Sequence, residues 1–143
     1  MTALKRRLLV LLTAALLLAG CGGSAASEDS PAAEDVSLAI TGGIAGVSQG
    51  IEVHPDGSVV LTGRKGGRAA PDLSRAEHKK LDSLLTAVDF AGLPARSISA
   101  TSADRFEYRL KYDGHSLVTD RSTDLGPADD LIRHLETCMR ARQ

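Results

Sequence analysis

Cysteine, aromatic residues and net charge are all scarce in this chain of 143 residues. It contains two cysteines, two phenylalanines, two tyrosines and no tryptophan, and its formal net charge is −1. Two cysteines cannot supply a framework of several disulfides, so a hydrophobic core must hold the fold together. A nearly neutral chain also lacks the basic surface that nucleic-acid phosphates attract, and we therefore expect no nucleic-acid partner.

Long apolar runs are equally scarce, and the clearest one lies near the N terminus. Residues 5–7 are Lys-Arg-Arg, residues 8–18 are almost entirely apolar, and small residues follow. The run is too short to cross a bilayer as a permanent helix. A basic start, a short apolar run and small residues are typical of a secretory signal peptide, which we predict over residues 1–20.

The end of this segment, Leu18-Ala19-Gly20-Cys21, resembles the lipobox of bacterial lipoproteins. The resemblance implies cleavage before Cys21, a diacylglyceryl group on its sulfur, and fatty acids such as palmitate as the membrane anchor. Cysteine suits this chemistry because its thiolate is a good nucleophile. We therefore expect a lipid-anchored protein on the extracytoplasmic face of the cell membrane. The alternative is an ordinary signal peptide with a chance cysteine.

Removal of the signal peptide makes the chain more acidic. Residues 1–20 hold three of the 17 Lys and Arg and none of the 18 Asp and Glu, which leaves a net charge of −4. An acidic protein is not attracted to anionic headgroups, so we expect the acyl chains on Cys21 to hold it at the membrane. Residues 22–35 are small, polar and acidic, and we predict a disordered tether over residues 21–35.

Residues 36–143 have the length of one small domain. Alternating apolar residues predict strands over residues 36–41, 51–54, 58–62, 106–112 and 115–120. Glycine-rich residues 42–50 and basic residues 64–71 are predicted loops, and residues 55–57, Pro-Asp-Gly, are a predicted hairpin turn. With two helices, the order is βββαββα. This order indicates an α+β fold whose antiparallel sheet is packed on one face by both helices.

Both helices are predicted from their first turns and apolar faces. Ser74 and Glu77 have the spacing of a capping box at the start of the first helix. Its apolar stripe consists of Leu81, Leu84, Leu85 and Val88. The second helix begins near Pro127, and its apolar face consists of Leu131, Ile132, Leu135, Cys138 and Met139. On the strand at residues 106–112, the predicted buried side chains are Phe106, Tyr108, Leu110 and Tyr112.

Residues 46–50, Gly-Val-Ser-Gln-Gly, match the G-x-S-x-G pattern of a hydrolase nucleophile. That nucleophile requires a strand-to-helix turn above a large parallel sheet. A domain of this size with a predicted antiparallel sheet does not supply one. We therefore expect Ser48 to lie in a loop, and we expect that the protein is not an enzyme.

The spacing of the histidines and aspartates predicts no metal site and no cofactor. The histidines have neither an i,i+4 histidine partner nor a nearby cysteine pair, so we expect solvated side chains at His54, His78, His115 and His134. Residues 120–130 are rich in aspartate but lack the glycine and glutamate of a calcium loop. We instead expect Asp124, Asp129 or Asp130 to favour the N-terminal end of the last helix.

The order of several short motifs resembles the emfourin family of protein inhibitors. The motifs are Gly-Gly-Ile-Ala-Gly at residues 42–46, Ile-Glu-Val at 51–53, Phe-Ala-Gly-Leu-Pro at 90–94, Asp-Arg-Phe-Glu-Tyr-Arg-Leu at 104–110, Asp-Gly-His at 113–115 and Leu-Ile-Arg-His-Leu at 131–135. They span most of residues 36–137. Members of the family inhibit protealysin and related thermolysin-like (M4) zinc metalloproteases. The resemblance implies that this chain is an inhibitor with an M4 protease as its partner.

The glycine-rich residues after the first strand are the candidate contact with that partner. An inhibitor needs no catalytic residues, but it must present a segment to a cleft at a low ordering cost. Glycine lets a backbone approach another surface closely. We expect contact through Gly42, Gly43, Ile44, Ala45, Gly46 and Val47. Two alternatives stay open. The glycines can serve only to shape a β-connection, or the chain is a surface-tethered binding or scaffolding lipoprotein without inhibitory activity.

Overall fold

The computed structural model describes residues 33–101 and 104–143. The predicted signal peptide, the predicted lipid attachment at Cys21 and residues 21–32 of the predicted tether lie outside the described residues. Within the described part of the chain, no helix combines the length and the apolar character needed to cross a membrane.

Seven strands form one sheet. They are β1 (Val36–Gly42), β2 (Val47–Val53), β3 (Val59–Gly63), β4 (Gly66–Ala70), β5 (Arg96–Ser97), β6 (Phe106–Tyr112) and β7 (His115–Thr119). Their order across the sheet is β4-β3-β2-β1-β6-β7-β5, so β1 occupies the middle. All neighbouring pairs are antiparallel except β5 with β7. Four of these pairs, β1–β2, β2–β3, β3–β4 and β6–β7, join strands that follow each other in the chain and form hairpins, as short connections favour.

In the described part of the chain two α-helices accompany the sheet, α1 (Arg75–Ala87) and α2 (Pro127–Arg140), with a short 3-10 helix at Phe90–Gly92. The predicted capping box at the start of α1 is confirmed. The Ser74 hydroxyl accepts from the Glu77 amide at 3.3 Å, and the Glu77 carboxylate accepts from the Ser74 amide at 2.7 Å. The predicted start of α2 at Pro127 is confirmed too, with acidic residues in its first turn.

The core lies between one face of the sheet and the two helices. The buried strand residues include Val36, Leu38, Ile40, Ile51, Val53, Val59, Leu61, Leu110 and Leu117. The buried helix residues include Leu81, Leu84, Leu131, Ile132, Leu135, Cys138 and Met139. The predicted α+β class is therefore confirmed. Burial raises the pKa of the Cys138 thiol to about 11, which opposes formation of a thiolate.

Two of the predicted loops are wrong. Residues 47–50 belong to β2, so the loop predicted over residues 42–50 contracts to a turn at residues 43–46. Residues 66–70 form β4 inside the segment predicted as a basic loop. This strand has no apolar alternation because most of it is exposed at the edge of the sheet, and backbone pairing with β3 forms it. The two-residue strand β5 was also outside the prediction.

The predicted burial of Phe106 is wrong as well. Its side chain is 42% exposed, whereas Leu110 on the same strand is fully buried. Phe106 pairs with Gly42 at the end of β1 and lies outside the core cluster. The alternation of apolar and polar residues along β6 therefore indicates which face of the sheet is turned to the core. It does not indicate how far along the strand the helices cover that face.

One of the histidines predicted to be solvated lies between the two helices. His134 lies on α2, and its Nε2 atom is 3.0 Å from the carbonyl oxygen of Glu77 on α1. The ring therefore belongs to the contact between the two helices, which brings together residues 57 positions apart in the chain.

Candidate functional site

The six predicted contact residues all lie in or beside the turn between β1 and β2. Gly42 is the last residue of β1, and Val47 is the first residue of β2. The Gly46 amide donates to the Gly43 carbonyl oxygen at 2.9 Å and closes the turn. The structure therefore gathers the residues that the sequence singled out into one compact feature.

Glycine is required at the start of this turn for two reasons. Gly42 and Gly43 have φ angles of 107° and 70°, which side chains rarely adopt. A Cβ at Gly42 would lie 2.6 Å from the backbone oxygen of Arg105, and one at Gly43 would lie 3.0 Å from the ring of Phe106. The turn is thus packed directly against the beginning of β6.

Ile44 and Phe106 form an exposed apolar pair, which we call the apolar tip. Ile44 is 92% exposed and Phe106 is 42% exposed, and they are the large hydrophobic side chains most open to solvent among the described residues. They share one end of the sheet because Phe106 pairs with Gly42, two residues before Ile44. Val47, in contrast, is half-buried. Ile44 is therefore the more accessible of the two apolar side chains that the sequence assigned to the contact.

Arg64 braces the turn from the neighbouring hairpin. It lies just after β3, and its Nη2 atom donates to the Ala45 carbonyl oxygen at 3.0 Å and to the Gly46 carbonyl oxygen. Hydrogen bonds from a guanidinium are stronger than those between neutral groups. The turn is therefore held at both carbonyls that follow Ile44.

A buried carboxylate, Asp120, lies near the residue that precedes Phe106. The Asp120 carboxylate accepts from the Ser122 hydroxyl and amide, and from the Ser99 amide at 2.9 Å. These hydrogen bonds, aided by Arg105 at 3.8 Å, lower the pKa of Asp120 to about 2. Asp120 is therefore ionised at neutral pH, and it forms an ion pair with Arg105, the residue that precedes Phe106.

The sequence prediction missed Phe106 and Arg64 as parts of this site. Phe106 lies within the motif at residues 104–110, but its alternation with Leu110 assigned it to the core. No local signal indicates the role of Arg64, because its partners lie 18 and 19 residues earlier in the chain. Their proximity depends on the pairing of β2 with β3.

Ser48 lies within β2 rather than in the predicted loop, and it pairs with Thr41 on β1. Strand β2 continues to Val53 and is followed by a turn and by β3. The serine is therefore not at the strand-to-helix turn that exposes a hydrolase nucleophile.

One group of potential metal ligands is present among the described residues, which the spacing in the sequence did not indicate. Asp35, Glu52 and His54 each offer a ligand atom, and these atoms all lie within 4.8 Å of one another. The group is at the end of the β1–β2 hairpin opposite the turn, because Val36 pairs with Val53 there.

Comparisons with known proteins add no relative from which a role for these residues can be transferred. No protein-family model matches the chain, and no curated protein or solved structure is significantly similar to it. The resemblance to the emfourin family therefore rests on the sequence motifs alone.

Proposed function

We propose that the chain is a lipid-anchored, extracytoplasmic inhibitor of a thermolysin-like (M4) zinc metalloprotease. In this proposal the lipid is attached to Cys21, and the turn formed by residues 42–47 blocks the cleft of the protease. The sequence motifs support the choice of partner. The single observation that supports the choice of contact is the 92% exposure of Ile44 on a braced turn.

The combination of exposure and bracing suits an inhibitory contact. When a partner protein covers a branched apolar side chain that was exposed to water, the free energy of the complex is lowered. Binding also costs conformational entropy, and this cost is smaller when the presenting segment is already ordered. Arg64 and the hydrogen bond from Gly46 to Gly43 order the turn on its two sides. The turn that carries Ile44 is therefore already ordered before binding, so it loses less conformational entropy when a partner binds.

Phe106 extends the proposed contact beyond the residues that the sequence indicated. Its ring packs against Gly43 and remains partly exposed, so a partner that covers Ile44 also meets an aromatic surface. Aromatic side chains in the centre of an interface often carry much of its binding energy. Arg64 and Arg105 lie beside these two side chains, as polar residues commonly do at the rim of an interface.

The test is inhibition of a panel of purified M4 proteases by the full-length chain carrying Cys21→Ser, kept in a mild detergent. The protein with the wild-type sequence at residues 42–47 should inhibit at least one of the proteases at about micromolar concentration or below. Ile44→Asp should weaken inhibition at least tenfold without unfolding the domain, because the side chain makes few intramolecular contacts. Ser48→Ala is the matched control on the same hairpin and should inhibit like the wild type.

Two results would contradict the proposal in different ways. Failure to inhibit any M4 protease would favour the binding or scaffolding lipoprotein. Inhibition that is unchanged by Ile44→Asp would retain the protease partner but move the contact away from this turn. Gly43→Arg is a less clean variant, because its positive φ and its contact with Phe106 also strain the turn.

A further inference from the structure

Asp35, Glu52 and His54 share the face of the sheet that the helices do not cover. Val36 and Val53 pair with each other and are both buried in the core. Successive side chains on a strand point to opposite faces, so the residues next to this pair point away from the core. Asp35 precedes Val36, and Glu52 and His54 flank Val53. The register of two adjacent strands therefore holds the three side chains together.

The ring of His54 is already oriented between the two carboxylates. Its Nδ1 atom is 2.8 Å from Asp35 Oδ1, and its Nε2 atom is 3.8 Å from Glu52 Oε1. In the tautomer whose Nδ1 atom carries the proton, this N–H donates a hydrogen bond to Asp35. The lone pair of Nε2 then faces Glu52. A carboxylate that holds the far nitrogen of a metal-binding histidine is a common outer-shell arrangement.

The distance between Nε2 and Glu52 suits a shared transition-metal ion. Zinc bonds to imidazole nitrogen and carboxylate oxygen of about 2.0–2.2 Å place two ligands of a tetrahedral ion about 3.4 Å apart. The observed 3.8 Å is within reach of that value through a small rotation of the half-exposed Glu52 side chain. Imidazole and carboxylate together are a donor set that Zn²⁺ accepts readily.

The charge around His54 also favours a cation. Among the described residues, the ion pairs of Asp35 and Glu52 are made only with His54 and not with any Lys or Arg. A neutral imidazole therefore leaves the two carboxylates without a cationic partner within the group.

We propose that Asp35, Glu52 and His54 form a binding site for a divalent transition-metal ion such as Zn²⁺. His54 Nε2 and the Glu52 carboxylate are the direct ligands, Asp35 holds the ring through Nδ1, and water completes the coordination. Metal binding displaces the proton that Nε2 carries at low pH, so affinity falls as His54 becomes protonated. Asp35 stays joined to the end of β2 through its hydrogen bond with His54.

The experiment is a titration of the full-length chain carrying Cys21→Ser with ZnCl₂ at about pH 8. Removal of Cys21 ensures that its thiol does not bind the ion. Calorimetry should show one site, and ¹⁵N spectra of the imidazoles should show a shift at His54 Nε2. His54→Ala and Glu52→Gln should each weaken binding at least tenfold. Asp35→Asn should weaken it by about tenfold or more, as loss of an outer-shell partner does.

His78→Ala is the matched control. His78 is also half-exposed, and its Nε2 atom is 3.8 Å from the Asp82 carboxylate, but within residues 33–101 and 104–143 no second carboxylate pairs with its ring. This variant should bind Zn²⁺ like the parent protein. Unchanged affinity in His54→Ala, or equal losses in His54→Ala and His78→Ala, would overturn the proposal. Because these residues are exposed, none of the substitutions should change the unfolding temperature of the metal-free protein by more than a few degrees.

Discussion

Arg142 forms a two-pronged ion pair with Glu77 and so joins the end of the chain to the first turn of α1. Its Nη1 atom donates to Glu77 Oε1 at 3.1 Å, and its Nη2 atom donates to Oε2 at 2.8 Å. The Arg142 side chain is only 6% exposed, and it also donates to the carbonyl oxygens of Pro71 and Asp72. The guanidinium therefore joins the residues that follow α2 to residues 71–72 and to the first turn of α1.

The Glu77–Arg142 pair makes stability depend on pH in the acid range. The hydrogen bond from Arg142, with support from Ser74, lowers the pKa of Glu77 from 4.5 to about 2. A carboxyl group whose pKa is lowered by folding stabilises the folded state above its unfolded pKa, and this contribution is lost as the pH falls. We expect Glu77→Gln to lower the free energy of unfolding by roughly 2–3 kcal/mol at neutral pH. At about pH 2 the difference between the two proteins should be much smaller.

Urea unfolding of both proteins at the two pH values measures this difference. Glu107→Gln is the control, because Glu107 pairs only at 3.5–3.6 Å with the well-exposed Arg96 and Arg109. Its loss should cost less than about 1 kcal/mol at either pH. An equal effect of Glu77→Gln at neutral and acid pH would show that the ion pair is not the source of its stability.

The covered and exposed ends of one face of β6 can be tested with a pair of truncations. Leu110→Ala should lower the free energy of unfolding by roughly 2–5 kcal/mol, because Leu110 is buried in the core. Phe106→Ala should cost clearly less, because its ring lies at the exposed end of the strand. Thermal and denaturant unfolding of both variants provide the comparison. A larger loss for Phe106→Ala would place its ring in the core after all.

Arg64 can be tested as the brace of the β1–β2 turn. Arg64→Ala removes the donor to the Ala45 and Gly46 carbonyl oxygens. We expect amide hydrogen exchange in residues 43–46 to rise about tenfold, while the unfolding temperature of the domain changes little. Lys65→Ala, at the adjacent position, should leave exchange unchanged. Equal exchange in Arg64→Ala and the wild type would mean that the turn is ordered by its own backbone.

The predicted lipid attachment can be tested by metabolic labelling with a clickable fatty acid. Cys21→Ser should abolish the label, because the thioether requires the sulfur of Cys21. Cys138→Ala should retain it, since the Cys138 thiol is buried and its pKa is raised. Equal labelling of the wild type and Cys21→Ser would exclude this anchor.

The sequence predicted those parts of the fold whose signals are local. The capping box of α1, Pro127 at the start of α2 and the apolar faces of both helices follow from spacings within one or two turns. Strand β4 was missed because its pairing with β3 requires little from the side chains of residues 66–70. A strand at the edge of a sheet that is held by backbone hydrogen bonds does not require alternating apolar side chains, so the sequence pattern does not indicate it.

The candidate sites divide in the same way. The turn at residues 43–46 was found because its glycines are close together in the chain. Phe106 and Arg64 join it only through the register of β1 with β6 and of β2 with β3. Likewise, Asp35 and His54 are 19 residues apart and meet only because the two strands pair in one particular register.

The central strand β1 separates the point where the chain enters the domain from the apolar tip. The chain enters β1 at Val36 and leaves it at Gly42, so its point of entry and the apolar tip lie at opposite ends of the same strand. The strand from Val36 to Gly42 separates these two ends by about 20 Å. A domain held from the N-terminal side of Val36 therefore keeps Ile44 at the far end of a stiff strand. Lengthening residues 22–35 should extend the reach of the domain without changing the end of β1 that Ile44 occupies.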